Sequence, residues 1–182
     1  HTIRREFDSN GGIYRGMKLY SFVDNHDVDR LASKLKVPGH LPLVYTLLYF
    51  LPGIPSIYYG SEWGTEGKKI PGQSDDSLRP AFEKPEPNEL TEYIAKLIHL
   101  RNEHQALNSG QFKELLLTNK QYVFEREAEG ERIIVALNID DAPFVAHFNA
   151  NSGTGEDLLT HEMHDFGAGS TLAPLSISIW KT

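Results

Sequence analysis

The sequence contains no cysteine, which excludes disulfide bonds and thiolate metal sites and leaves the redox compartment open. Basic residues are scarce relative to acidic ones, because 18 Lys and Arg stand against 25 Asp and Glu and the formal net charge is -7. A surface of this sign does not favour nucleic acid or an anionic membrane as the main partner, since both attract basic residues.

Long apolar segments are absent as well. The longest, LPLVYTLLYFLPGIP, is interrupted by prolines and is shorter than the roughly 20 apolar residues that span a bilayer. The N-terminal stretch HTIRREFDSNGG lacks the apolar segment of a signal peptide, so we expect a soluble protein of undetermined compartment, cytoplasmic or secreted. The sequence begins with His rather than Met, which indicates a fragment or a processed form.

The pattern of helix-type and strand-type segments changes near position 105. Before it, strand-type and helix-type segments alternate: KLYSFV (18–23), LPLVYTLLYFL (41–51), IPSIYYG (54–60) and NELTEYIAKLIHLRNEH (88–104). This alternation is typical of a parallel sheet. After it, the strand-type segments QFKELLL, QYVFERE, ERIIVALNI, PFVAHFN and TLAPLSISIW are separated by short polar turns, which predicts an antiparallel meander or sandwich. We therefore predict two domains, 1–104 and 105–182.

A sheet of only two parallel strands is physically unfavourable. Parallel strands are normally covered on both faces and flanked by neighbours, because bare edges invite aggregation. Residues 1–104 therefore indicate the closing part of a larger α/β unit. The missing N-terminal part would lie in the same chain or be supplied by another chain.

A group of polar residues follows the first predicted strand, in the segment SFVDNHDVDR (21–30). Carboxylates, an amide, an imidazole and a guanidinium stand there directly behind apolar residues. In sheets of parallel strands, functional sites form at the C-terminal ends of the strands. This segment is therefore the first candidate for a functional site.

Three motifs, SFVDNHDVDRL, LPGIPSIYYGSEWG and SDDSLRP, occur in that order. With them, the sequence resembles the α-amylase family of glycoside hydrolases over essentially its whole length. In that family, the first motif ends the seventh strand of a catalytic (β/α)8 barrel, the second is the eighth strand, and an Asp/Arg-bearing loop follows. The resemblance implies an α/β plus all-β fold, namely barrel strands 7 and 8 with their helices and then an antiparallel β-sandwich.

The resemblance also implies a function, which is retaining hydrolysis, or transfer, of α-glucosidic bonds in starch-like glucans or maltooligosaccharides. Retaining glycosidases use two carboxyl groups about 5–5.5 Å apart and pass through a transition state like an oxocarbenium ion. In the family, the nucleophilic Asp and the Glu acid/base end the fourth and fifth strands, and no candidate for either precedes Ser21. We therefore expect the chain alone to be inactive. A non-catalytic carbohydrate-binding or interaction fragment is the alternative.

By resemblance, Asp27 is the third catalytic carboxylate, a transition-state stabiliser that accepts hydrogen bonds from sugar hydroxyls beside the reacting carbon. His26 would donate a hydrogen bond to a neighbouring hydroxyl. The plainer alternative is that both residues cap the turn after the strand. Asp24 and Asn25 are expected to fix the ends of neighbouring strands rather than to contact sugar.

Further substrate-binding candidates lie on the loops. Asp75 precedes Arg79 by four residues, which is the spacing of the Asp/Arg pair that in the family holds the sugar one step from the cleaved bond; Asp76 is an alternative to Asp75. The indole of Trp63 could stack on a pyranose ring. Asp29 and Arg30 could form a local pair on the loop, with Arg30 reaching the rim of the cleft.

No cofactor is expected in this segment. The calcium sites of the family mostly use residues outside it, so calcium is an expectation only for the complete enzyme. The segment HEMH (161–164) has a spacing weakly like that of metal ligands, but we expect it to lie in a solvated turn of the β domain.

Overall fold

The computed structural model of the chain describes residues 2–72 and 74–182. These residues form two compact units. The first, which we call the parallel unit, comprises Tyr20–Tyr49 and Gly53–His99. The second, the antiparallel unit, comprises Phe50–Pro52, Leu100–Thr182 and the N-terminal stretch that ends at Leu19. The domain boundary expected after residue 104 stays a prediction, which limited proteolysis can test.

The α-helices are short apart from two. They are α1 (Thr2–Phe7), α2 (Leu31–Lys34), α3 (Leu41–Phe50), α4 (Glu89–Glu103) and α5 (Gln105–Ser109). The strands are β1 (Tyr20–Ser21), β2 (Ile54–Pro55), β3 (Gln111–Leu117), β4 (Gln121–Ala128), β5 (Glu131–Asn138), β6 (Phe144–Ala146), β7 (Thr154–Asp157), β8 (Met163–Asp165), β9 (Ser170–Leu172) and β10 (Ser176–Lys181). Single 3-10 turns occur at Pro38–His40, Ser61–Trp63 and Asp75–Leu78.

In the parallel unit, β1 pairs with β2 in parallel, as the alternating pattern predicts, with Tyr20 opposite Ile54. Both strands are shorter than predicted, since each has two residues. On and beside β1, Tyr20 is 66% exposed and Phe22 is 47% exposed. Among the described residues, each of these strands has one paired neighbour, so one edge and much of each face stay open.

The predicted helices of the parallel unit are confirmed. The apolar segment 41–51 forms α3, and Pro42 lies in its first turn, where a proline costs no internal hydrogen bond. The amphipathic segment 88–104 forms α4. Its cap is Asn88, whose side-chain oxygen accepts a hydrogen bond from the backbone N–H of Thr91 at 3.2 Å.

The antiparallel unit contains a six-stranded sheet in the order β3-β4-β5-β10-β7-β8 and a separate pair, β6-β9. The antiparallel prediction is confirmed. Two strands, β7 and β8, were not predicted, because their sequences resemble turns and become strands only by pairing with β10 and with each other. The last predicted segment is divided into β9 and β10 around Pro174, which has no N–H to donate to a sheet.

One apolar core cluster of the antiparallel unit lies between its two sheets. Side chains from one face of the six-stranded sheet meet side chains from the β6-β9 pair, and the buried members are Val123, Ile134, Ala136, Trp180, Ala146, Leu172 and Ala150. Alternation along β4 and β5 places these apolar residues on a single face. The two sheets therefore pack against each other through an apolar layer.

The HEMH segment lies only in part in a solvated turn. His161 is exposed there, with its ring nitrogen Nδ1 3.0 Å from Glu156 Oε1. His164 belongs to β8, where its ring stacks on Trp180 at 4.6 Å between centroids and its Nε2 lies 2.9 Å from Ser170 Oγ. These contacts make His164 a packing residue, and burial lowers its pKa.

None of the helices found in the two described ranges combines the length and the apolar character that crossing a membrane requires.

Candidate functional site

A buried carboxylate joins the ends of the two parallel strands. Asp24, directly behind β1, is only 2% exposed. Its Oδ2 accepts a hydrogen bond from the backbone N–H of Leu31 at 2.8 Å. Both of its carboxylate oxygens lie within 2.9 Å of Ser61 Oγ, which belongs to the turn after β2. Asp24 therefore fixes strand ends, as expected from the sequence.

The same turn is supported from below by α3. The hydroxyl of Tyr45 donates a hydrogen bond to the carbonyl oxygen of Ser61 at 2.9 Å. Burial, and then the negative charge of Asp24, raises the pKa of Tyr45. This phenol therefore stays protonated and remains a hydrogen-bond donor at any physiological pH.

Asn25 sets the direction of the next exposed residues. Its side-chain oxygen accepts a hydrogen bond from the backbone N–H of Asp27 at 2.8 Å, which closes a tight turn. His26 and Asp27 consequently project into solvent, and the Asp27 side chain is 59% exposed. The buried residues of this loop thus form a structural support, and its exposed residues are free to contact a ligand.

Four of the predicted site residues come together in what we call the ionic cluster: His26, Asp27, Asp75 and Arg79. The Nε2 atom of His26 lies 3.3 Å from Asp27 Oδ2, and Arg79 Nη2 lies 3.6 Å from Asp27 Oδ1. The same nitrogen of Arg79 is 3.9 Å from Asp75 Oδ2. Residues separated by more than 45 positions in the chain are therefore neighbours in the loops that follow two adjacent parallel strands.

Asp75, and not Asp76, is the carboxylate beside Arg79. Asp76 instead accepts a hydrogen bond from Ser74 Oγ at 2.6 Å. The structure thus distinguishes the two alternatives that the spacing leaves open. Their roles toward sugar stay predictions.

Lys69 adjoins the ionic cluster and was missed by the sequence analysis. Its Nζ lies 3.8 Å from Asp75 Oδ2 and 3.4 Å from the carbonyl oxygen of Asp27. Its backbone N–H donates to Asp29 Oδ1 at 2.7 Å, which fastens the loop. The available signal was a basic residue in the Gly-rich loop between the second and third motifs.

Arg30 does not lie where the sequence analysis places it. It is fully buried, whereas a contact with ligand at the rim of the cleft requires exposure. Its Nη1 donates to the carbonyl oxygen of Tyr59 at 2.7 Å and its Nη2 donates to that of Leu78 at 2.8 Å. The guanidinium also lies 4.3 Å from the ring centroid of Tyr58. Because these interactions draw the side chain inward, the expected contact of Arg30 with sugar is wrong for this structure.

Trp63 lies at the end of the turn Ser61–Trp63 and is half-buried. Its indole meets the ring of Phe82 edge-on, with centroids 4.8 Å apart. The carbonyl oxygen of Trp63 accepts a hydrogen bond from Asn88 Nδ2 at 2.9 Å, so the cap of α4 also fixes this turn. A stacking role of Trp63 on a pyranose ring stays a prediction.

Tyr58 brings an aromatic ring beside the ionic cluster. Its ring centroid lies 6.1 Å from that of His26. Desolvation, followed by the influence of Tyr59, raises the pKa of Tyr58, although the charges of Arg30 and Arg79 oppose the shift. Tyr58 therefore keeps its hydroxyl proton at neutral pH.

Within residues 2–72 and 74–182, no three histidine or carboxylate side chains are grouped as ligands for a metal ion.

Comparison with known sequences gives two related results. Residues 8–86 match the family model described as "Alpha amylase, catalytic domain". Over 167 residues the chain is 30% identical to a cyclomaltodextrinase of Thermoanaerobacter pseudethanolicus, which covers 90% of the chain and 28% of that relative. The chain thus spans little more than a quarter of the length of this curated relative.

Solved structures of similar fold give the same result. A crystal structure of an Anoxybacillus α-amylase superposes with a TM-score of 0.78 at 26% identity, over 90% of this chain and 38% of that one. An α-amylase of Geobacillus thermoleovorans, crystallised in complex with acarbose, superposes with a TM-score of 0.77, also at 26% identity and with the same coverage of both chains.

Proposed function

The chain belongs to the α-amylase family of glycoside hydrolases, and from this premise we propose that it forms part of a retaining enzyme acting on starch-like glucans or maltooligosaccharides. In this proposal, β1 and β2 are the seventh and eighth strands of a (β/α)8 barrel, and the antiparallel unit is the β-sandwich domain that follows. One observation above all supports it. The loops that follow two adjacent parallel strands bring Asp27, His26, Asp75 and Arg79 into a single cluster.

The exposure of the ionic cluster suits a ligand site better than a purely structural one. An ion pair between side chains that are about half exposed contributes under about 1 kcal/mol to stability. Contacts of 3.3–3.9 Å between such groups are weak, so sugar hydroxyls can replace them at little cost. The buried structural support formed by Asp24 and Ser61 stays fixed during this exchange.

In the proposed mechanism, Asp27 accepts hydrogen bonds from adjacent hydroxyls of the sugar whose anomeric carbon reacts. As that carbon becomes cationic, the negative carboxylate attracts it more strongly than it attracts the ground state, which lowers the barrier. His26 donates a hydrogen bond to one of the same hydroxyls. Asp75 and Arg79 hold the next sugar along the chain.

Retaining hydrolysis needs a nucleophile and an acid/base carboxyl group in addition to Asp27. We propose that barrel strands outside these 182 residues supply both groups, so that the chain by itself binds sugar without cleaving it. The proposal assigns no cofactor to this segment. Hydrolysis and sugar transfer differ in which acceptor attacks the glycosyl-enzyme, and the residues of this cluster serve either reaction.

The experiment compares the complete gene product with the 182-residue chain. Each is incubated with maltoheptaose, and proton NMR follows the anomeric signals of the newly formed reducing ends. The complete product should release the α-anomer first, as retention requires, and the chain alone should release none. First release of the β-anomer would overturn the retaining mechanism. Binding of maltotriose without hydrolysis by the complete product would establish the non-catalytic alternative.

A further inference from the structure

Arg30 connects three segments of the parallel unit and does not reach the rim of the cleft, where it was expected. Its two terminal nitrogens reach the turn after β2, at Tyr59 and Ser61, and the end of the 3-10 turn Asp75–Leu78. Its backbone N–H donates a hydrogen bond to the carbonyl oxygen of Gly67 at 2.9 Å. One residue of the β1 loop therefore holds the β2 turn and both ends of the loop 67–78.

The buried charge of Arg30 is balanced within the same network. Ser61 Oγ accepts a hydrogen bond from Arg30 Nη1 at 3.0 Å and donates to the carboxylate of Asp24. The hydroxyl thus stands between a buried cation and a buried anion, both fully or almost fully removed from solvent. A buried guanidinium without such compensation would be strongly destabilising.

The loop is packed closely where Arg30 holds it. A Cβ atom at Gly67 would overlap the carbonyl oxygen of Ser77 and would lie 3.1 Å from Arg30 Cγ. Only glycine therefore fits between the stem of Arg30 and the far end of the loop. The contacts of Gly67, Ser77 and Leu78 therefore hold the loop where it begins and where it ends.

Each of the two points of attachment lies close in sequence to one cation of the site. Gly67 precedes Lys69 by two residues, and Leu78 immediately precedes Arg79. Lys69 and Arg79 are the cations that lie near Asp27 and Asp75. A displacement of either attachment point would therefore move the backbone next to one of these two cations.

We propose that Arg30 is the positioning residue of the candidate site, which holds the segments 67–72 and 74–79 so that Lys69 and Arg79 face Asp27 and Asp75. The role in turnover rests on the proposed function, whereas the role in geometry does not. Arg30 itself stays out of contact with substrate. Lysine cannot replace it, because one ammonium group cannot supply the fork of donors that reaches Tyr59, Ser61 and Leu78.

Arg126 provides a matched control, because a purely structural role predicts the same behaviour for both arginines. It is also buried, in the antiparallel unit, and donates to the carbonyl oxygens of Phe50 at 2.6 Å and Gly110 at 2.9 Å. Replacing either arginine by lysine removes a buried fork of donors. Only Arg30→Lys should disturb the ionic cluster.

The first test uses the isotope-labelled 182-residue chain and needs no substrate. The Nε–Hε NMR signal of Arg79 is recorded with and without Asp27→Asn, which removes the negative charge near Arg79. We expect Asp27→Asn to shift this signal in the otherwise unaltered chain and in the Arg126→Lys background, and the shift to be lost in the Arg30→Lys background. An undiminished shift in the Arg30→Lys background would overturn the proposal.

Gly67→Ala gives a second route to the same answer if Arg30→Lys does not fold. This change leaves the guanidinium intact but forces the loop away from Ser77 and Arg30. It should also abolish the response of the Arg79 signal to Asp27→Asn. Retention of the full response would mean that the Arg30 attachment does not position Arg79.

The second test measures kcat and KM of the complete gene product for maltoheptaose at a temperature where all variants are folded. Arg30→Lys should lower kcat/KM by about 10²-fold, as a misplacement of about 1 Å can do, while Arg126→Lys leaves kcat/KM unchanged. Equal kcat/KM for both variants would reduce Arg30 to a structural role. If the gene product has no hydrolase activity, the proposed function fails, but the NMR test of positioning still stands.

Discussion

Arg30 in the parallel unit and Arg126 in the antiparallel unit are both removed from solvent, but their surroundings differ. The acceptors of Arg126 are carbonyl oxygens, and burial, with the nearby charge of Arg101, lowers its pKa to about 9. Arg30 adds to its carbonyl acceptors a serine hydroxyl that leads to the carboxylate of Asp24. In the antiparallel unit, backbone carbonyl oxygens accept the hydrogen bonds of the buried cation. In the parallel unit, the buried cation is part of a polar side-chain network beside the candidate site.

The same contrast runs through the two units as a whole. The antiparallel unit is held by continuous backbone ladders and an apolar layer. The parallel unit has strands of two residues, and polar side chains make many of the connections between its loops. Single polar substitutions should therefore matter most in the parallel unit, and losses of apolar volume should matter most in the antiparallel unit.

The largest effect on stability should come from Phe124→Ala in β4. Phe124 is fully buried, and its ring meets that of Phe112 at 5.6 Å between centroids. Removing it should lower the free energy of unfolding by about 3–5 kcal/mol, since lost burial and a cavity add together. Urea unfolding followed by circular dichroism measures this loss.

The matched aromatic change in the parallel unit is Phe22→Ala. Because Phe22 is about half exposed, this change should cost well under half as much as Phe124→Ala. Equal losses for the two variants would contradict the contrast drawn between the units.

A smaller effect should follow Ser61→Ala. The change deletes the hydroxyl between Arg30 and Asp24 and leaves buried polar groups with fewer partners. The expected loss is about 1–3 kcal/mol in the free energy of unfolding. Ser56→Ala, whose hydroxyl accepts a hydrogen bond from the exposed Tyr20, should cost less than about 1 kcal/mol. A loss at Ser56 as large as that at Ser61 would mean that the buried network contributes no more to the free energy of unfolding than an exposed hydrogen bond does.

The smallest effect concerns acid stability of the antiparallel unit. Burial alone would raise the pKa of Glu131, but hydrogen bonds from His104, the Ala106 N–H and Lys181 lower it overall. Because the folded-state pKa lies below the ordinary value of 4.5, Glu131 stabilises the fold above that pH. This contribution is lost as the pH falls through the folded-state pKa.

Melting temperatures measured between pH 7 and pH 2 test this contribution. The unaltered chain should lose more stability below about pH 4.5 than Glu131→Gln does. Glu129→Gln, at an exposed turn, should follow the unaltered chain. Identical acid profiles for the unaltered chain and Glu131→Gln would show that these hydrogen bonds do not govern acid stability.

Much of the architecture could be predicted from periodicity and turn chemistry. The helices α3 and α4 and the strands β3, β4 and β5 follow their sequence patterns closely, because each contains apolar residues that the fold buries. Strands β7 and β8 could not be predicted. Their short polar sequences carry no strand signal, and only pairing within the sheet makes them strands.

The site was predictable where a motif carried it and not where packing decided it. Asp27, His26, Asp75 and Arg79, all taken from the motifs, lie close together, and their roles toward sugar stay predictions. The burial of Arg30 could not be predicted, because a guanidinium in a loop is normally solvated, and the acceptors that draw it inward come from distant turns.

The central claim is that Asp27 stabilises the transition state of glycoside hydrolysis, and its most direct test is Asp27→Asn in the complete gene product. The isosteric amide keeps the local shape but removes the negative charge that would face a cationic carbon. We expect kcat/KM for maltoheptaose to fall about 10²–10³-fold, or roughly 3–4 kcal/mol, with an unchanged melting temperature. The control Asp76→Asn, at the neighbouring carboxylate bonded to Ser74, should keep nearly full activity. A near-normal rate for Asp27→Asn, or a loss accounted for by a collapsed melting temperature, would contradict the assignment.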